Sequence, residues 1–193
     1  MDIINIIKQY KKLIQIYIIM DTKKSMDSST TEYNSLFGKW VLWAHLPHDT
    51  DWALRSYKRI MKIEHVEEMI KLIKALPEKL IKNCMLFLMR DGINPMWEDP
   101  KNKDGGCFSF KVANKNVAKV WEKLSYAIVG ESITKNEEML VLVNGITISP
   151  KKSFCIIKIW LSSCSVQNPK NIIEIENLDI HGCLFKKHRP NHK

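Results

Sequence analysis

The chain has 193 residues, 45% of them hydrophobic, which suits a single domain with a sizeable core. Thirty Lys and Arg against 21 Asp and Glu leave a formal charge of +9, a balance that favours a polyanionic partner. The five cysteines are odd in number and none lies in a C-x-x-C pair, so neither a zinc site nor a thioredoxin motif is indicated, and a reducing cytosol fits best. Lys far outnumbers Arg, and Ile and Asn are abundant, the bias of an AT-rich genome such as that of a parasite or a large DNA virus.

Residues 1–20 are Ile-rich but broken by Lys8, Lys11 and Lys12, which excludes an uninterrupted membrane span. They also lack the pattern of a secretory signal. Ile3, Ile6, Ile7, Tyr10, Leu13, Ile14 and Tyr17 fall near helical spacing, so the segment reads as an amphipathic helix packed on the body or on a partner. Asp21–Glu32 is rich in Ser, Thr and Lys and reads as a linker. Lys39–His45 predicts a strand, Pro47–Trp52 a polar loop, and Tyr57–Ile63 a second strand. Val66–Leu76 predicts an amphipathic helix ended by Pro77, with Met69, Ile70, Ile73 and Leu76 on its apolar side. Cys84–Met89 and Cys107–Val112 read as strands around a long polar loop. Asn114–Val129 reads as a helix started by Asn114 and stopped by Gly130. Met139–Ile148 and Ser153–Leu161 predict a hairpin turning at Ser149–Lys152, and Ile172–Ile175 one more strand. Hairpin strands with helices to one side make the fold class α+β, a curved antiparallel sheet backed by helices. The chain divides into a segment and linker (1–32), a domain (33–185) and a basic tail, KKHRPNHK (186–193), which reads as a solvated tail able to touch phosphates.

The chemistry concentrates in Asp91–Gly106, DGINPMWEDPKNKDGG, which sets the indole of Trp97 beside the carboxylate of Glu98 on a loop. A second loop indole, Trp52, lies in HDTDWAL. Two aromatic faces attract a delocalised cation, and a carboxylate can accept two parallel hydrogen bonds from a base edge. That combination suits 7-methylguanine, the cap of eukaryotic mRNA.

The run resembles the signature DGIxPMWEDxxNxxGG of the translation initiation factor 4E family, the mRNA cap-binding proteins. Other blocks resemble that family in the same order, from Leu36 to Trp160: LFGKWVLWAH (Leu36–His45), VEEMIKL (Val66–Leu72), VWEKLSYAIVGES (Val120–Ser132), VLVN (Val141–Asn144) and IIKIW (Ile156–Trp160). The resemblance implies a cupped hand with helices on its convex face and the cap held on the concave one. It also implies that Trp52 and Trp97 sandwich the base, that Glu98 reads its Watson–Crick edge, that the Trp97 backbone N–H meets the base carbonyl, and that Trp160 lies near the methyl group. Asp99 is expected to cap the loop.

The family's usual phosphate ligands correspond to Ile146 and Ile156, neither of which can bind phosphate, and Cys107 and Asp104 stand at commonly basic positions. Lys158, two residues before Trp160, together with Lys151 and Lys152 in the turn, is expected to replace the missing cations. On the convex face the family binds partner helices of pattern Y-x-x-x-x-L-Φ. Val66 and Gly130 keep expected positions there, whereas Ile70 stands for a Trp and Glu122 and Tyr126 for apolar contacts, so binding to the usual scaffold is expected to be weak or altered. Ser162–Lys170 leaves little room for the family's third back-face helix, and the Ile-rich N-terminal segment is a candidate to cover the surface left there.

Capped mRNA and a scaffold or repressor protein are therefore the expected partners, with no membrane, no cofactor and no catalytic residue. An enzyme acting on caps would call for a Glu-rich metal cluster or a Gly-rich strand–turn–helix; neither pattern is in the sequence, and His45, His48 and His65 are too scattered for a metal site. The competing reading is a repressor or decoy that binds caps without engaging the initiation scaffold.

Overall fold

A computed structural model describes residues 33–47 and 49–189; the expected N-terminal helix and linker, and the end of the tail, lie outside them. The elements run β1 (Ser35–His45), β2 (Tyr57–His65), α1 (Val66–Ala75), α2 (Glu78–Asn83), β3 (Met85–Arg90), β4 (Gly106–Ala113), α3 (Val117–Val129), α4 (Glu137–Leu142), β5 (Val143–Pro150), β6 (Phe154–Leu161) and β7 (Leu184–Lys187). The seven strands form one sheet in the order β2-β1-β3-β5-β6-β4-β7. Every pairing is antiparallel. The expected α+β class, with a curved antiparallel sheet and helices behind it, is the observed one.

Period-two alternation sends successive side chains to opposite faces, and here both faces are apolar. On the convex face Trp40, Leu42, Leu86, Leu88, Phe110, Ile157 and Ile159 pack under Met69 and Leu72 of α1 and under Val120, Trp121, Leu124 and Ile128 of α3. Each such side chain contributes about 1.5–3 kcal/mol by leaving water, so this layer supplies most of the stability. On the concave face Tyr57, Phe87, Met89, Ile93, Cys107 and Trp160 form a smaller cluster, joined by Trp43, Met85 and Met96.

Several expectations need correction. Met139–Leu142 is helical, not strand, because the Asn136 side chain accepts the Met139 N–H and Glu137 and Glu138 occupy the first turn. Helix α3 starts at Val117 after Asn116; Asn114 instead lies near the thiol of Cys155. Ile172–Ile175 is not a strand, and its only sheet-like pairing is a single bridge from Ile172 to Thr134. In α1, Leu72 rather than Ile70 enters the core, and Ile70 stays exposed. Ser162–Lys170, expected to leave little room for a back-face helix, contains no α-helix, and neither does the rest of 162–183. They do not leave bare core, though: Val166, Ile172, Ile175 and Leu178 are buried on the convex cluster. Lys186 and Lys187, read as tail, form β7 with Leu184 and Phe185.

One ion pair ties the sheet to the helical layer. The Arg90 guanidinium donates to both carboxylate oxygens of Glu131, at 2.8 and 2.7 Å, and through Nε to the Val143 carbonyl at 2.7 Å. It also lies 4.6 Å from the Trp40 ring. Glu131 is held at φ 52°, a left-handed conformation that the bidentate pair helps maintain. Removing one member of a largely buried pair strands the other charge. We expect Arg90→Ala to lower unfolding stability by about 2–3 kcal/mol, read as a shifted urea midpoint at unchanged slope.

Candidate ligand-binding face

The loop between β3 and β4 is organised from inside. Asp99 is buried, and its carboxylate accepts the N–H groups of Asn94 (3.0 Å) and Lys101 (2.9 Å). Asn102 is fully buried; its amide donates to the carbonyls of Asn94 (3.0 Å) and Met96 (2.9 Å). Its Oδ1 accepts from the amide of Asn144 on β5, 2.9 Å away, and Asn144 also donates to the Lys101 carbonyl at 2.8 Å. Gly92 provides the tight exit from β3 at φ 79°, a left-handed conformation costly for other residues. Ile93 and Met96 anchor the loop in the concave cluster. Between these fixed points Trp97 (46% exposed) and Glu98 project outward. The Glu98 carboxylate has no hydrogen-bond or ion-pair partner among the described residues.

Trp52 comes from the loop between β1 and β2 and is 52% exposed. One face of its indole lies parallel to the ring of His45, centroids 4.2 Å apart at an interplanar angle of 2°. His45 is itself buried, and its Nε2–H donates to the Asp51 carbonyl at 2.9 Å, which fixes the ring. Asp51 accepts the Ala53 N–H and pairs with Arg55, so the loop carrying Trp52 is braced on both sides. Tyr57 packs edge-on against His45 and Phe87. Burial pushes its phenol up to about 12, and the charge of Glu98 pushes the same way.

Trp160 is buried on β6, and its Nε1–H donates to the Thr147 hydroxyl at 3.2 Å. His188 leans on it at 4.5 Å and 49°. The His188 Nδ1–H donates to the Asn102 carbonyl at 2.7 Å. Burial lowers the His188 pKa against that hydrogen bond, and the charge of Lys158 lowers it further.

Trp52, Trp97, Glu98 and Trp160 are thus all carried on or beside the concave face. Lys158 joins them, two residues from Trp160 on the same side of β6. Lys151 and Lys152 do not: they sit at the turn beyond Phe154, about 20 Å along the strand from Trp160 at 3.3 Å per residue. Reading the sequence did not place His45 or Tyr57 at the site, and it assigned Lys186 and His188 to a solvated tail able to touch phosphates. Strand alternation from Trp43 could have found His45; nothing local signals His188, which depends on pairing between β4 and β7.

On the convex side, a cleft of about 660 Å³ is lined by Leu36, Phe37, Val66, Gly130, Leu140 and Val141, among others. Val66 and Gly130 of the expected partner surface line it. Ile70, Glu122 and Tyr126 do not, although Ile70 is exposed and the Tyr126 phenol is pushed up by burial and by Glu122 one turn away. Phe37 (95% exposed) and Val141 (77% exposed) are apolar residues of this surface that sequence reading missed.

Among the described residues no group of three His, Cys, Asp or Glu is placed to hold a metal ion, and no helix is long and apolar enough to cross a membrane. The five cysteines are unpaired.

The family model described as Eukaryotic initiation factor 4E matches residues 35–188. The eukaryotic translation initiation factor 4E of Candida glabrata is 24% identical over 182 residues, covering 89% of this chain and 83% of that one. Among solved structures, the complex of C. elegans eIF4E-3 with the 4E-binding protein Mextli and a cap analog superposes with a TM-score of 0.62 at 23% identity, over 69% of this chain and 77% of that one. Schistosome eIF4E complexed with m7GpppG and 4E-BP gives 0.62 at 21% identity, over 70% and 75%.

Asn102 is the joint of the loop. Its replacement by Ala removes three hydrogen bonds, leaving the Asn94 and Met96 carbonyls with only the backbone N–H groups of Met96 and Asp99 and the Asn144 amide with only the Lys101 carbonyl. Each such hydrogen bond contributes about 0.5–1.5 kcal/mol net. We expect Asn102→Ala to lose about 2–4 kcal/mol in urea unfolding and to raise amide exchange across 94–105 in particular.

Proposed function

The chain belongs to the eukaryotic initiation factor 4E family, and on that premise we propose that it binds the 7-methylguanosine 5′ cap of mRNA on its concave face and acts in translation initiation. The base enters between Trp52 and Trp97, and Glu98 accepts its ring N–H and exocyclic amine. The Trp97 N–H donates to the base carbonyl, and Trp160 lies at the methyl end. The observation that carries this reading is the combination at the signature loop: an exposed indole and an unpartnered carboxylate on a loop whose interior is fully hydrogen-bonded. His45 already covers one face of Trp52, which leaves the other face for a ligand. The bound contents of the C. elegans and schistosome structures, a cap analog and m7GpppG, agree with it.

Magnitudes follow from the parts. A desolvated cation–π contact is worth roughly 2 kcal/mol and exists only for the methylated, cationic base. A buried charged hydrogen bond adds about 1.5–3 kcal/mol. Quenching of Trp fluorescence by 7-methylguanosine triphosphate should therefore exceed that by GTP by at least tenfold in affinity, and Glu98→Ala should weaken the methylated ligand about 10- to 100-fold. Equal, weak responses to both nucleotides would remove the cap reading.

The convex face favours a second element of the proposal. Glu122 and Tyr126 stand on α3 where the family resemblance expects apolar contacts, and Ile70 stands for an aromatic anchor, so the partner motif is altered or the protein works as a repressor or decoy. A peptide of pattern Y-x-x-x-x-L-Φ should bind weakly, and Glu122→Leu should strengthen it several-fold. Tight binding to the unaltered chain, measured by calorimetry, would show instead that the usual scaffold is engaged.

A further inference from the structure

The end of the described chain is built into the ligand face. Strand β7 pairs with the outer edge of β4, with Lys186 opposite Cys107 and Leu184 opposite Ser109. Across β4, Cys107 faces Trp160 and Ser109 faces Lys158 on β6. Directly opposed residues of antiparallel strands project from the same side of the sheet. Lys186 and Lys158 therefore stand on the Trp160 face, diagonally across β4 from each other.

What separates them is small. Cys107 and Ser109 present only a thiol and a hydroxyl, 3.7 Å apart, between two long cationic stems. Both lysines lower the pKa of the Cys107 thiol against the rise that burial imposes, so both charges converge there. Neither lysine has a carboxylate partner among the described residues. Lys111, farther along the same face of β4, is committed differently, its ammonium lying 4.5 Å from the Phe154 ring.

The strand is also anchored. Beyond Lys187 the His188 N–H donates to the Gly105 carbonyl at 3.0 Å, and its ring is held by Asn102 and Trp160. Lys186 is thus presented by a fixed backbone rather than by a free tail, which lowers the ordering cost of binding through it. Adjacent strands lie about 4.8 Å apart, so its backbone is about 10 Å from that of Trp160, within reach of a chain of phosphates leaving a base at Trp160.

We propose that Lys186 of β7 and Lys158 of β6 form an anion shelf over Cys107 and Ser109 that receives the oligophosphate chain of the bound nucleotide. This rests on the cap-binding reading and supplies the cations missing at Cys107 and Ile156; Ile146, expected at a phosphate-ligand position, is instead buried in the convex core opposite Ile159. It assigns the near phosphates to the β6–β4–β7 corner and leaves Lys151 and Lys152, at the far turn, out of that contact.

The test compares 7-methylguanosine with its 5′-triphosphate by Trp quenching, in the unaltered chain and in Lys186→Ala, Lys158→Ala and Lys187→Ala. Lys186 is exposed, so its replacement leaves the fold in place. The expected result is that Lys186→Ala and Lys158→Ala each weaken the triphosphate about 5- to 10-fold and reduce its salt sensitivity. The nucleoside should be unaffected, and Lys187→Ala, on the other side of β7, should change neither ligand. Unchanged triphosphate affinity in Lys186→Ala, or an equal loss for both ligands, overturns the shelf while leaving the base pocket standing. A nucleoside that binds the unaltered chain no better than guanosine removes the cap reading, and the shelf with it.

Discussion

The side-chain amide of Asn102 is the point on which the ligand face depends. A loop of fifteen residues (91–105) must hold an indole and a carboxylate in fixed positions without a helix or strand of its own. The carbonyls that turn inward need donors. Asn102 resolves this by donating inward to the loop and accepting from Asn144, which belongs to a different strand. Its backbone carbonyl holds His188 as well. Three distant stretches of chain thus meet at one residue, and the exposed side chains of the loop inherit the rigidity of the sheet.

The sheet itself is asymmetric in function. Its convex side is thick, with two long helices, two short ones and an irregular return segment, and it carries most of the buried apolar residues. The concave side is a thin layer dominated by aromatic and sulfur-bearing side chains. Such a layer can stay partly open to water because the fold does not rely on it. Indoles can therefore be left half exposed at small cost, which a thick core would not permit.

Much of this was legible in the sequence, for identifiable reasons. The strands of the sheet show up as short apolar runs between polar loops, and Trp52 and Trp97 stood apart because Asp, Pro and Glu flank them. Where the reading failed, a local device overrode the pattern. Met139–Leu142 looks like strand by its apolar run but is captured as helix by the Asn136 cap. Ile172–Ile175 has strand composition, yet its neighbours on the sheet are already paired, so it covers the back core instead. The roles of Lys186 and His188 depend on pairing with residues some eighty positions earlier, and charge content alone made that stretch look like a solvated tail.

The placement of β7 has a consequence for how the protein comes into being. Synthesis runs from the N-terminus, and the other six strands have all been made before Leu184 emerges. The convex core rests mainly on those six strands, whereas Trp160 lacks its His188 cover and β4 keeps an open edge until β7 and His188 have been made. A message truncated just ahead of codon 184 yields a protein with a sound interior, an exposed β4 edge prone to pairing with other chains, and an incomplete ligand face.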